Sequence, residues 1–98
     1  MVYKIIVSEE AISDLRDIVA YIAKDNPSVA NKFGSKLIQS TKPLSNHPRI
    51  GRIVPEFDDT SIRELIFGSY RIPYRIKEES KTIEILRFWH SSQKNLRI

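Results

Sequence analysis

The sequence feature that most restricts the fold is a predicted hairpin of two strands in the second half of the chain. From Tyr70 to Lys77, apolar and polar residues alternate, which is the period of a strand with one buried face. Residues 62–67 form a second predicted strand, and Gly68-Ser69 between the two is typical of a two-residue hairpin turn with Gly first. A turn of this length fixes the register, so Phe67 should lie opposite Tyr70.

This register assigns each side chain of the hairpin to a face. The face that should pack against helices carries Leu65, Phe67, Tyr70, Ile72, Tyr74 and Ile76, and the open face carries Glu64, Ile66, Arg71, Pro73 and Arg75. Pro73 has no backbone N–H, so we expect a bulge or a gap in pairing opposite it. The alternation also changes phase near Arg87 in the last predicted strand, which indicates a bulge there or a cover on both faces. A cover on the second face would hint at a bound partner.

Two amphipathic helices are predicted before the hairpin. Ser8 is a suitable N-cap for the first helix, whose apolar residues recur at helical spacing as far as about Asp25. Asn26 and Pro27 then predict the start of a second helix, which the spacing extends to about Asn46. Pro43 lies inside that pattern and should kink or fray the last turn. The short break between the helices predicts an antiparallel helical hairpin.

The predicted order of elements is β-α-α-β-β-β. A first strand is expected over 3–8, the helical hairpin over about 9–46, and the remaining sheet over about 52–89. The fold class is therefore α+β, with a helical hairpin packed on one face of a mainly antiparallel sheet. We expect residues 1–98 to form one domain, since the chain is too short to divide.

Several classes of protein and site are excluded by what the chain lacks. It has no cysteine, no apolar run long enough to cross a bilayer, and an N-terminus unlike a signal peptide, so we expect a cytoplasmic protein without membrane contact. His47 and His90 are far apart and belong to no pair of spaced ligands, so no metal site is predicted. The glycines are scattered, and no cofactor is expected.

The arginines are concentrated in one part of the chain. The formal net charge is +4, and seven of the eight arginines follow position 48. Because a guanidinium forms a planar fork suited to phosphates and carboxylates, this distribution favours an anionic partner. The candidates for contact with phosphate, target or partner are Arg52, Arg63, Arg71, Arg75 and Arg87. The alternative is that these arginines pair with glutamates across the sheet.

One catalytic chemistry is compatible with the remaining side chains. RNA can be cleaved without a metal if a base deprotonates the 2′-hydroxyl, a cation stabilises the phosphate and an acid protonates the leaving oxygen. Glu56, Arg71 and His90 are candidates for these three roles, in that order. The alternative assigns Glu56 to an ion pair in a loop, Arg71 to Glu64, and His90 to a half-buried strand end.

The chain resembles the RelE/ParE superfamily of toxins over about residues 3–91. The resemblance is carried, in order, by DLRDIVAYIAKDNPSVANKF, HPRIGRIVPEF, IREL, YRIPYRI and ILRFWH. It implies the toxin of a type II toxin–antitoxin system, which stops growth and is neutralised by a cognate antitoxin with an acidic, partly disordered C-terminal segment. It also implies one of two targets, because ParE-like members inhibit DNA gyrase and RelE-like members cleave mRNA on the ribosome.

Individual positions favour the ParE-like branch slightly. Arg71 matches an arginine that RelE-type nucleases use on phosphate, but many ParE-like toxins share it. Leu65 stands where RelE has a catalytic lysine, and Ser91-Ser92 stand where RelE has a further basic residue. The YoeB-like branch uses a glutamate, an arginine and a histidine, matched here by Glu56, Arg71 and His90, but its final tyrosine is absent. Gyrase inhibition is therefore expected, the alternative is a ribosome-dependent mRNA endoribonuclease, and a non-toxic, basic nucleic-acid-binding module is a third reading.

Overall fold

The computed structural model describes residues 2–98 and has two helices packed on one face of a six-stranded sheet. The elements are β1 (Lys4–Val7), α1 (Glu9–Ala23), α2 (Pro27–Gln39), a 3₁₀ helix (Lys42–Ser45), β2 (Arg52–Ile53), β3 (Ile62–Phe67), β4 (Tyr70–Lys77), β5 (Thr82–Ile85) and β6 (Trp89–His90). The strand order is β1-β5-β4-β3-β2, with β6 paired to β4, and β1 is parallel to β5 while the other pairs are antiparallel. The predicted α+β class with a mainly antiparallel sheet is confirmed.

The β3–β4 hairpin has the bounds and the register expected from its turn. Phe67 pairs with Tyr70 and Leu65 pairs with Ile72. Gly68 has a φ of 56°, a left-handed conformation that glycine adopts without steric cost. The apolar face predicted for this hairpin forms the main core with the helices, and Phe33 of α2 packs its ring 5.6 Å from that of Tyr70.

The last predicted strand is divided in two by a bulge opposite Pro73. Tyr74 pairs with Ile85 and Arg71 pairs with Trp89, so two residues of β4 face three residues of the neighbouring strand. The Leu86 amide donates to the Pro73 carbonyl at 2.8 Å. Pro73 has no backbone N–H, so the bulge at this position does not cost the sheet a hydrogen bond that Pro73 could have donated. The bulge expected from Pro73 and from the change of phase near Arg87 is confirmed.

The helices begin at the predicted caps, but the second one ends earlier than predicted. The side chains of Ser8 and Asn26 accept hydrogen bonds from the amides of Ala11 and Val29 at 3.1 Å. Helix α2 ends at Gln39 rather than near Asn46, because a proline at position 43 would clash with the carbonyl four residues earlier. A 3₁₀ helix takes over and still buries Leu44 completely, which explains why the apolar spacing continued past the end of α2.

The second face of the sheet is covered by the chain itself. A smaller apolar cluster lies there, formed by Val54, Ile62, Leu86, Trp89 and Leu96 with the half-buried Phe57. The cover comes from the loop after β2 and from the C-terminal tail, which the sequence pattern left unassigned. This part of the second face therefore needs no partner to cover it, and the change of phase near Arg87 does not by itself indicate one. Among the helices of residues 2–98, none is long and apolar enough to cross a membrane.

The loop before β2 depends on a glycine at position 51. The Gly51 amide donates to the Tyr74 hydroxyl at 3.0 Å, and that hydroxyl donates to the Pro48 carbonyl at 2.7 Å. A Cβ on Gly51 would lie 2.6 Å from the Glu64 carbonyl oxygen and 2.7 Å from the Tyr74 hydroxyl. We predict that Gly51→Ala lowers the free energy of unfolding by about 2 kcal/mol, since the backbone at position 64 cannot yield.

The control is Gly68→Asn, because no atom of residues 2–98 outside its chain neighbours lies within 4 Å of a Cβ at Gly68, and asparagine tolerates the positive φ. Urea unfolding of both variants should show a loss below about 1 kcal/mol for the control. Equal losses in the two variants would contradict the steric argument.

Candidate functional site

The open face of the sheet is organised around the buried carboxylate of Glu64. Its side chain has no exposed surface, and it accepts hydrogen bonds at 2.7 Å from Nε of Arg71 and from Nε of Arg52. The register explains both contacts, since Arg52 lies directly opposite Glu64 on β2 and Arg71 lies diagonally opposite on β4. The pairing of Glu64 with Arg71 that sequence analysis kept as an alternative is present.

Arg71 is held on its other side by Glu56. Both terminal nitrogens of the Arg71 guanidinium donate to the Glu56 carboxylate at 2.7 Å, and the Arg71 side chain is only 16% exposed. These hydrogen bonds lower the pKa of Glu56 from 4.5 to about 2 and raise the pKa of Arg71 above its ordinary value. All three nitrogens of Arg71 are engaged by carboxylates, so no fork is left open for a phosphate.

Two of the other candidate arginines are also engaged in internal contacts. Arg63 donates to the Gly51 carbonyl at 3.0 Å, and its buried Nε has no hydrogen-bond partner among residues 2–98. Arg87 donates to both carboxylate oxygens of Asp14, at 2.7 and 2.8 Å, and its guanidinium lies 5.0 Å from the centre of the Trp89 ring. Arg75 differs, because no carboxylate within residues 2–98 forms an ion pair with it. Four of the five candidate arginines, Arg52, Arg63, Arg71 and Arg87, are therefore held by internal ion pairs or hydrogen bonds, although the Arg52 side chain remains 58% exposed.

The structure brings Glu56 and Arg71 together but does not bring His90 to them. His90 pairs with Tyr70, and the two rings lie 5.1 Å apart on the helix-covered face, whereas Trp89 is the residue opposite Arg71. The extra residue in the bulge opposite Pro73 is the reason that Trp89, and not His90, lies opposite Arg71. The Nδ1 of His90 accepts a hydrogen bond from the Ser92 amide at 3.1 Å and lies 2.6 Å from its hydroxyl oxygen. The catalytic assignment of the three residues stays a prediction.

A cleft that sequence analysis did not find lies beside His90. It has a volume of about 510 Å³ and is lined by Asp14, Asp17, Ile18, Tyr21, Tyr70, Phe88, His90 and Gln93. Spacings of three and four residues place Asp14, Asp17 and Tyr21 on one side of α1, and this was the one signal in the sequence. The ends of β4 and β6 complete the cleft, and only the tertiary fold brings them next to α1. No cluster of side chains within residues 2–98 is suited to a metal ion.

Comparison with known proteins shows which class of protein and which family this chain belongs to. The model of the family described as ParE toxin of type II toxin–antitoxin system, parDE, matches residues 5–95. The putative toxin Y4kP of Sinorhizobium fredii is 36% identical over 88 residues, which cover 85% of this chain and 82% of that protein. This is a small toxin of the RelE/ParE superfamily. The chain belongs to the ParE toxin family of type II toxin–antitoxin systems.

Solved structures agree with that fold. The chromosomal ParDE system from P. aeruginosa superimposes with a TM-score of 0.74 at 25% identity, covering 91% of this chain and 96% of that one. The RelBE2 toxin–antitoxin complex from Mycobacterium tuberculosis gives 0.61 at 24% identity, covering 92% and 99%. The isolated E. coli RelE toxin gives 0.60 at 15% identity, covering 95% and 88%. The last two support the fold alone.

The low pKa of Glu56 predicts an acid-sensitive contribution to stability. A carboxylate whose folded pKa is depressed stabilises the fold above its ordinary pKa and loses that effect as the pH falls from about 4.5 to about 2. Since the Glu56 side chain is 41% exposed, screening limits the effect to about 1 kcal/mol. We predict that Glu56→Gln lowers the free energy of unfolding at neutral pH, and that the difference from wild type disappears across this window.

Urea unfolding at a series of pH values measures the difference, and Asp58→Asn serves as the control for removing a charge from the same loop. A difference that stays constant from neutral pH to about pH 2 would contradict the predicted ion pair.

Proposed function

We propose that this chain arrests growth by binding and inhibiting DNA gyrase, and that a cognate antitoxin neutralises it. The observation that carries the choice of target is the state of Arg71. Its guanidinium is occupied by Glu56 and Glu64, and His90 lies on the other face of the sheet. Membership of the ParE family and the likeness to the ParDE system of P. aeruginosa support the same choice.

Metal-independent RNA cleavage makes a demand that this arrangement meets poorly. The base, the phosphate clamp and the acid must all reach one phosphate within hydrogen-bond distance. Here the clamp is already neutralised, the base is bound to the clamp, and the third candidate is separated from both by the sheet. An inhibitor that acts by binding needs no such assembly, since its surface has only to fit its target.

The edge of the sheet suits a disordered partner that folds on binding. On β3, strand β2 pairs with Arg63 and Glu64. Within the described residues 2–98, no strand pairs with the outer edge of the backbone from Leu65 to Phe67, and Ile66 on this edge is 57% exposed. An extended antitoxin segment could add a strand there, and the net charge of +4 favours an acidic segment. The RelBE2 structure from M. tuberculosis is itself a toxin–antitoxin complex.

To test the proposal, the purified protein is added in parallel to a gyrase supercoiling assay and to a translation reaction. We expect it to block supercoiling of relaxed plasmid by purified gyrase, and to leave mRNA ends unchanged on translating ribosomes mapped by primer extension. Addition of the cognate antitoxin should restore supercoiling. Intact gyrase activity together with mRNA cuts at fixed codon positions would overturn the proposal in favour of the endoribonuclease.

A further inference from the structure

We propose that the cleft between α1 and the ends of β4 and β6 binds an arginine side chain presented by a partner protein. This acid–aromatic cleft is defined by Asp17, Tyr21, Tyr70 and His90, with Asp14 and Phe88 at its inner side. The site is separate from the cationic face of the sheet and does not depend on which target the toxin inhibits. Its volume of about 510 Å³ accommodates one long side chain.

The charge of the cleft comes from Asp17. Asp14 is neutralised, because both of its carboxylate oxygens accept hydrogen bonds from Arg87 and one also accepts from the Phe88 amide. Asp17, one helical turn further along α1, forms no ion pair with any of residues 2–98. In a chain with a net charge of +4, the cleft therefore presents an uncompensated carboxylate.

The rings of the cleft add a second reason for a cation. Tyr21 is 74% exposed, which is unusual for so large a ring, and Tyr70 stands edge to face with His90 at 5.1 Å. The ring of Tyr21 already has a cation near it, since the Lys24 Nζ lies 5.9 Å from its centre. Aromatic faces attract cations through the ring quadrupole. A carboxylate beside the exposed ring of Tyr21 and the half-buried ring of Tyr70 is thus complementary to a positive group.

Arginine fits this combination better than other occupants. Its planar guanidinium can stack on a tyrosine ring and still donate a pair of hydrogen bonds to a carboxylate. The compact ammonium of lysine has no planar surface to stack on the ring and no fork that matches the two carboxylate oxygens. A phosphate or a nucleic-acid backbone would be repelled by Asp17. The Nδ1 of His90 is already bound to Ser92, which leaves Nε2 of that ring as the nitrogen available to the occupant.

The test titrates the full, ¹⁵N-labelled chain with the peptide acetyl-Gly-Arg-Gly-amide and follows amide shifts by NMR. We expect saturable shifts confined to the residues around the cleft, including Asp17, Tyr21 and Gln93. The same peptide with citrulline in place of arginine has nearly the same shape without the charge. The citrulline peptide should bind at least about ten-fold more weakly than the arginine peptide, since it forms neither the ion pair nor the cation–π contact.

Three variants locate the site. Asp17→Asn and Tyr21→Ala should each weaken the arginine peptide several-fold, while Tyr21→Phe should keep its affinity because the ring is retained. Asp25→Asn removes an exposed carboxylate of the segment after α1, outside the cleft, and should bind like wild type. Shifts that do not saturate, shifts centred elsewhere, or equal affinities for the Asp17→Asn and Asp25→Asn variants would overturn the proposal. Equal binding of the arginine and citrulline peptides would overturn it as well.

Discussion

The carboxylate of Glu64 is the group on which the open face of the sheet depends. A buried carboxylate is costly unless its charge is compensated and its oxygens accept hydrogen bonds. Two arginine Nε groups at 2.7 Å meet that demand from two different strands. Arg71, once fixed in this way, directs its remaining nitrogens at Glu56 and so positions the loop that covers the second apolar cluster. One buried charge thereby connects β2, β3, β4 and the loop after β2.

This network changes what the basic composition means. A net charge of +4 and a row of arginines on one strand face favour contact with phosphate, yet the four charges of Glu56, Arg71, Glu64 and Arg52 sum to zero within the fold. Asp17, which forms no ion pair with any of residues 2–98, lies in the acid–aromatic cleft beside the exposed ring of Tyr21. The chain belongs to the ParE toxin family, and this distribution of charge is one support for the proposal that it acts by binding a protein and not by cleaving RNA.

The sequence predicted those parts of the fold that depend on local pattern. The hairpin was correct in bounds and register because a two-residue turn leaves no freedom once the alternation is known. The end of α2 was wrong because Leu44 kept the apolar spacing while Pro43 imposed a 3₁₀ helix. The local pattern indicated the bulge near Arg87, but it did not supply the register beyond the bulge, which places Trp89 and not His90 opposite Arg71. The cleft joins residues 14–21 to residues 70–93, and only the tertiary fold brings them together.

A double-mutant cycle on Glu64 and Arg71 tests most directly whether Arg71 is a structural partner of the buried carboxylate. The cycle compares Glu64→Gln, Arg71→Met and the double variant by urea unfolding, with Lys77 and Glu84, a more exposed pair at 3.3 Å, as the reference. We predict a coupling energy of about 2 kcal/mol or more for the buried pair and below about 1 kcal/mol for the exposed one. A coupling energy between Glu64 and Arg71 no larger than that of the reference pair would contradict the structural role of Arg71. Arg71 would then again be a candidate for binding phosphate.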